Sequence, residues 1–337
     1  MSTPAAMGSH TPGQHSSLTM RDLTRLLTCP HCQEPQLLQL KEDDKDQHLE
    51  CRGCSVKYEI HDGIPVLLPP DFITMRSENE RAAAALAHKR QQASFTDEET
   101  DEQWEIGRPH GAPSFYGWLF EEKFRRSIAA LFPLLQDATA LTVCGGSGLD
   151  AEFLARAGAR VITSDISLLA AMRARERARR HGVALTPVVA DVENLPFGDR
   201  TIDLVYVHDG LHHLKEPAVG LAEMARVASR AVSVNEPARA TATAIAIGFG
   251  VALVQEEAGN RVARLTVEDI VAGLEKLGFQ TLEAHRYAMY YKHAPGPAMR
   301  FMSRQNVMPL ARVAFTSFNR WAGGIGNKLT VQAIRAN

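Results

Sequence analysis

Two kinds of residue cluster in this chain could do chemistry, and they lie far apart. The first is a set of four thiols in two pairs, Cys29-Pro-His-Cys32 and Cys51-Arg-Gly-Cys54, with 18 residues between the pairs. Each C-x-x-C turn aims two thiolates at one point, so the spacing points to a single tetrahedral zinc. Four thiolates leave no open coordination position, so the metal's role is structural rather than catalytic. A module this small lacks a core of its own, and metal binding supplies the missing free energy. The second kind consists of polar residues that follow apolar runs. Gly145-Gly146-Ser147-Gly148 closes the run ALTVC, and Asp165 closes ARVITS. Asp191 closes ALTPVVA, and His208-Asp209-Gly210-Leu211-His212-His213 closes TIDLVYV. A glycine loop lets a ligand approach the backbone, and the helix N-terminus behind it faces any carboxylate. An acid suits ribose hydroxyls, and an imidazole beside a carboxylate suits proton removal from an acceptor.

The elements that must position these groups can be read from periodicity. Apolar strand-like runs alternate with helical patterns from DAEFLARAG through SLLAAMRARERARRHG to EPAVGLAEMARVAS, and RAVSVNEP adds a further strand. Such alternation predicts an α/β fold with a parallel sheet and helices on both faces. Ligands of such sheets lie outside the carboxyl ends of the strands, where the polar clusters stand. Glu236, after the fifth strand, is expected to face the same cleft.

The glycine loop leaves two cofactors open. Gly146-x-Gly148-x-x-Ala151 with Asp165 fits a dinucleotide fingerprint. VVADVENLPFGDRTIDLVYVHDGLHHL instead resembles the class I S-adenosylmethionine-dependent methyltransferases, particularly their small-molecule branch, and it favours that cofactor. LTVEDIVAGLEKLGFQTLEAHRYAMYY and NKLTVQAIRAN resemble the last helix and last two strands of that fold, the final strand antiparallel. The resemblance implies a Rossmann-like seven-stranded methyltransferase sheet. It implies that Gly146 and Gly148 lie against the methionyl half of the cofactor and that Asp165 binds the ribose diol. It also implies that Ile166 packs on adenine, that Asp191 and the Val192 backbone meet the exocyclic amine, and that His208 sits beside the sulfonium. His208, Asp209 and His212 are the candidate catalytic groups. Motif I departs from the family: Thr142 replaces the usual acid and Cys144 the first glycine.

The stretch from LLTCPHC through CRGCSVKYEIHDGIPVLLPP resembles the zinc ribbon of the tRNA-methyltransferase activator family. Residues 21–70 hold six basic and nine acidic residues, net −3. That charge is a poor match for a phosphate backbone, which disfavours nucleic acid as a partner. Whole-chain net charge of −2 gives no general pull to nucleic acid or membrane either.

The expected organisation is a disordered tail (1–20), the zinc ribbon (21–70), an acidic helical linker read as a solvated connector (71–113) and the methyltransferase domain (114–337). Insertions near 239–264 and 294–325 are expected in that last domain. The second carries apolar side chains and four arginines that could form a lid, a packing face, a homodimer face or an anion site. With no signal-like segment and no apolar run of spanning length, a cytoplasmic protein is expected. The expected activity is methyl transfer to a small apolar or aromatic metabolite. An RNA methyltransferase presenting substrate through the ribbon and a non-catalytic pseudo-methyltransferase are the alternatives.

Overall fold

The computed structural model describes residues 16–43, 46–70, 72, 80–97, 101–238, 265–289 and 294–336. The insertion expected at 239–264 and most of the expected N-terminal tail lie outside these residues.

The N-terminal module begins with α1 (Met20–Thr24), capped by the Thr19 side chain, which accepts from Asp22 N. Four strands follow: β1 (Leu38–Asp43), β2 (Asp46–Cys51), β3 (Lys57–His61) and β4 (Ile64–Leu67). Next come α2 (Glu80–Asp97), α3 (Glu102–Gly107) and α4 (Ser114–Ile128). The large domain then runs β5 (Thr139–Val143), α5 (Leu149–Arg156), β6 (Arg160–Asp165), α6 (Leu168–His181), β7 (Leu185–Ala190) and β8 (Ile202–His208). It continues with α7 (Pro217–Val227), β9 (Ala228–Pro237), α8 (Val267–Lys276) and β10 (Phe279–Tyr287). It ends with α9 (Pro297–Met302), α10 (Met308–Ala322) and β11 (Lys328–Arg335).

Local chemistry sets these boundaries. Ser167 caps α6 by accepting from Ala170 N, and Gly182 ends it in the left-handed region, at φ 64°. β7 is buried along its whole length, as a central parallel strand covered on both faces must be.

The seven strands of the large domain stand in the order β7-β6-β5-β8-β9-β11-β10, with β11 antiparallel to both neighbours. This is the methyltransferase sheet that the family resemblance implies. The sheet does not stop at β7. β4 pairs with it in parallel, Val66 opposite Val189 and Leu67 opposite Ala190, so the described strands form one 11-stranded sheet ending at β1. The apolar GIPVLL run is therefore a sheet extension as well as the end of the ribbon. One buried cluster joins Leu27, Leu49 and Tyr58 of the module to Ile162, Val188 and Phe197 of the large domain.

The 80–97 segment also departs from expectation. Rather than a solvated connector, α2 packs against α6, and Lys89 is largely withdrawn from solvent, its side chain 22% exposed.

Candidate active site and thiol cluster

A cavity of about 600 Å³ opens at the carboxyl ends of β5 to β8. The loop after β5 forms one wall, where Gly146, at φ 50°, has open space in front of it. Cys144 also has positive φ, 51°, a conformation that strains most side chains and that a glycine would adopt freely. Its side chain lies against Gly210, where any Cβ would come within 2.4 Å of the Cys144 Cβ. The missing glycine of one loop is thus matched by a glycine in the facing one. Burial pushes the Cys144 thiol well up, with Asp165 and Glu236 adding to the shift, so it is an uncharged lining group. Thr142 is buried at the strand end and donates its hydroxyl to Thr163 Oγ1 at 2.8 Å.

Asp165, Ile166, Asp191, Val192 and Asp209 line this cavity together with Gly146. Asp165 Oδ2 accepts from Gly146 N at 2.9 Å and Oδ1 from Ser167 N at 3.0 Å, which fixes the carboxylate at the strand end. Gly148 stands away from the lining. It caps α5 at φ 78°, and a Cβ there would meet Ala174 of α6 at 2.9 Å, so its role in this geometry is helix packing.

The Asp191 carboxylate is held by two groups. Its Oδ1 accepts from Glu193 N at 2.9 Å, its Oδ2 pairs with Lys89 Nζ at 2.5 Å, and Lys89 also reaches Glu193 Oε2 at 2.6 Å. Despite the cost of burial, the two carboxylates raise the Lys89 ammonium above its ordinary value. His88 and Gln92 of the same helix line the cavity too, and His88 Nε2 meets His213 O at 2.9 Å. Sequence reasoning missed this wall because AHKRQQ carries no signal beyond that of a polar helix face.

His208 and His212 are buried and stand outside the lining. His208 Nδ1 is 3.2 Å from Tyr206 Oη and 3.7 Å from Asp150. Burial, with the Lys123 ammonium nearby, pushes its pKa down to about 4 against the pull of Asp150 and Asp209. The imidazole is therefore neutral at neutral pH and a weak base. Asp209 reaches the cavity and pairs with Lys328 Nζ. Lys328 holds its carboxyl well below the ordinary range although burial opposes this. Lys123 and Lys328, which no motif announced, complete a compact cluster of two lysines, two aspartates, His208 and Tyr206.

His212 donates from Nδ1 to Glu236 Oε2 at 2.7 Å, and Glu236 Oε1 accepts from Gly210 N (3.0 Å) and Leu211 N (2.8 Å). Glu236 is fully buried. It does not face the cleft: its oxygens are used in holding the 209–213 loop.

At the module's tip the four thiols of Cys29, Cys32, Cys51 and Cys54 all lie within 4.8 Å of one another. The Cys29–Cys54 and Cys32–Cys51 sulfurs are 3.6 Å apart in each pair. A tetrahedron with sulfurs about 2.3 Å from a central zinc has edges of about 3.8 Å, so the donor set fits that ion. The knuckle also props the loop that carries Asp191: Thr28 N donates to Pro196 O at 3.0 Å, and Asn194 Nδ2 donates to Pro30 O at 2.9 Å.

The sequence matches to known proteins fall on the same two parts of the chain. Residues 141–231 match a family described as a methyltransferase domain. Demethylmenaquinone methyltransferase of Thermobifida fusca (strain YX) is 34% identical over 110 residues, 32% of this chain and 46% of that protein. The chain thus spans about half the length of that relative. At the other end, a UPF0434 protein of Methylobacillus flagellatus is 38% identical over 58 residues, 17% of this chain and 90% of that one. Among solved structures, magnesium protoporphyrin IX methyltransferase from Synechocystis PCC 6803 with bound SAH aligns over 75% of this chain and 100% of its own, at 17% identity and a TM-score of 0.49. With its large-domain sheet, its strand-end cavity and these sequence matches, the chain carries a methyltransferase domain of the class I S-adenosylmethionine-dependent kind, and its N-terminal segment belongs to the UPF0434 family.

Proposed function

We propose that this protein transfers a methyl group from S-adenosylmethionine to a small, apolar or aromatic metabolite. One observation carries the reading: Gly146, Asp165, Ile166, Asp191 and Val192, from three successive strand ends, line the same cavity as Asp209. Asp165 would hold the ribose hydroxyls, Ile166 and Val192 would sandwich the adenine, and Asp191 would accept from its amine. When bound, the cofactor supplies an electrophilic methyl group. The protein's own task is to align the acceptor and exclude water. Neither His208, whose basicity burial has lowered, nor Asp209, which Lys328 holds ionised well below the ordinary carboxylate range, is a strong base, so the geometry favours an acceptor that needs little help in losing a proton. Among relatives, demethylmenaquinone methyltransferase supports a quinone-like ring as the first acceptor to try. A structural zinc on Cys29, Cys32, Cys51 and Cys54 forms part of the same proposal, supported by the edge lengths of the sulfur cluster.

Calorimetry with S-adenosylhomocysteine tests the cofactor site: the parent protein binds, and Asp165→Ala loses at least tenfold in affinity. Transfer of labelled methyl to demethylated quinols and then to pooled metabolites tests the acceptor. Absence of binding by the parent protein would remove the enzyme reading.

A further inference from the structure

The insertion between β10 and β11 leaves one face of α10 uncovered. Its inner face is accounted for. Met308, Ala311 and Phe315 pack on the aromatic cluster of α4, with Phe315 edge-on to Trp118 at 5.5 Å. Asn319 is buried and bonds both the N–H and the C=O of Ala288. The outer face is apolar. Leu310 is 72% exposed, Val313 65%, Phe318 51% and Trp321 85%. At about 100° per residue, these four lie on one side of the helix. Phe301 and Ile325, at the two ends of the same insertion, are also exposed.

The charge on this face is one-sided. From residue 294 to the end of the chain there is no Asp or Glu. Arg300, Arg304, Arg312 and Arg320 are exposed. Arg304 lies over the Phe301 ring at 5.2 Å and Arg312 over the Trp118 ring at 5.0 Å. No ion pair joins any of the four to a described residue. A second copy docking face to face would set arginines against arginines, so charge argues against self-association as the occupant.

We propose that the outer face of α10, with its flanking arginines, docks on an anionic lipid bilayer surface. An apolar stripe bearing Trp and Phe and bordered by arginines suits a helix lying in the interface plane. Trp321 would anchor at the headgroup level, and the arginines would meet anionic headgroups. Among the described residues no helix is long and apolar enough to cross a membrane, so the association is peripheral. This inference does not depend on the cofactor reading.

The test is co-flotation of the full chain with phosphatidylcholine vesicles, with and without phosphatidylglycerol, at low and high salt. The expected result is partition onto the anionic vesicles only, weakening as salt rises. Arg300→Gln and Arg320→Gln should each lower the partition about fivefold, and Trp321→Ser about tenfold. Melting temperature and S-adenosylhomocysteine affinity should stay unchanged in all three, because the residues are exposed and are not among those that line the cavity. Equal partition onto neutral vesicles, or none onto anionic ones, would overturn the proposal. So would sedimentation showing a dimer that Trp321→Ser dissolves, which would give the face to a second copy.

Discussion

Glu236 offers the most searching test of the site's construction. An acid after the fifth strand could be a substrate ligand in the cleft or a buried anchor, and the two roles differ in what its removal costs. In the structure its carboxylate accepts from Gly210 N, Leu211 N and His212 Nδ1, all within 3.0 Å and away from solvent. Glu236→Ala strands three buried donors, at about 1–3 kcal/mol each before the loop relaxes. Breaking a buried charge-assisted pair costs about 3–5 kcal/mol by itself. An overall loss of about 4–6 kcal/mol is therefore expected, a large part of the 5–15 kcal/mol that typically holds a protein of this kind folded. Glu236→Gln keeps one acceptor for the two backbone donors but presents an amide N–H₂ to the imidazole. His212 must then adopt the other tautomer to accept, and about 1.5–3 kcal/mol is lost. Urea unfolding at constant m reads both values. A cleft-facing acid would make the alanine variant nearly neutral, within about 0.5 kcal/mol. A cost below about 1 kcal/mol with m unchanged would refute the anchor role and return Glu236 to the substrate side.

Other expectations are more compact. His208, pushed down to about 4, refuses a proton that the unfolded imidazole accepts near pH 6.5. Its contribution to stability is therefore complete above pH 6.5 and is lost as pH falls towards 4, at up to about 1.4 kcal/mol per pH unit. His208→Gln should flatten that slope in urea titrations, and an unchanged slope would contradict the burial argument. Lys89 occupies the Asp191 oxygen that an adenine amine would use. Lys89→Met should therefore tighten S-adenosylhomocysteine binding about three- to tenfold and reduce its salt dependence; weaker binding would instead make Lys89 part of the holding site. Elemental analysis should find one zinc per chain, and Cys29→Ser should lose it and lower the melting temperature of the whole chain, because β4 is part of the main sheet. Melting of the module alone, with the large domain unaffected, would count against that coupling.

What the sequence made legible and what it hid divide along a physical line. Asp165, Ile166, Asp191, Val192 and Asp209 could be placed because a parallel sheet sends every strand end to one edge, so position along the chain already encodes position in space. The thiol pairs were legible for a similar reason, since each knuckle is a local turn. Gly148 and His208 kept their strand-end addresses, but a strand address does not say which way a group points. Gly148 is spent on contact with Ala174, and His208 turns towards Tyr206 and Asp150. Lys89, Lys123 and Lys328 were hidden because their partners lie about 27 to 119 residues away, and only tertiary packing makes such pairs. The same holds for β4, whose GIPVLL run has the composition of a buried strand but carries no label for its neighbour. Cys144 lies between the two cases. Its substitution for a glycine was plain in the loop, yet its tolerance depends on Gly210, which belongs to another strand end and leaves room for the Cys144 side chain. Read singly, the Cys144 loop departs from its family's pattern; read as a contact, Gly210 supplies the space that the Cys144 side chain needs. By this reasoning Gly210→Ala should damage the cavity more than Cys144→Gly does, because the added methyl has no room while the lost thiol merely relieves a strained φ.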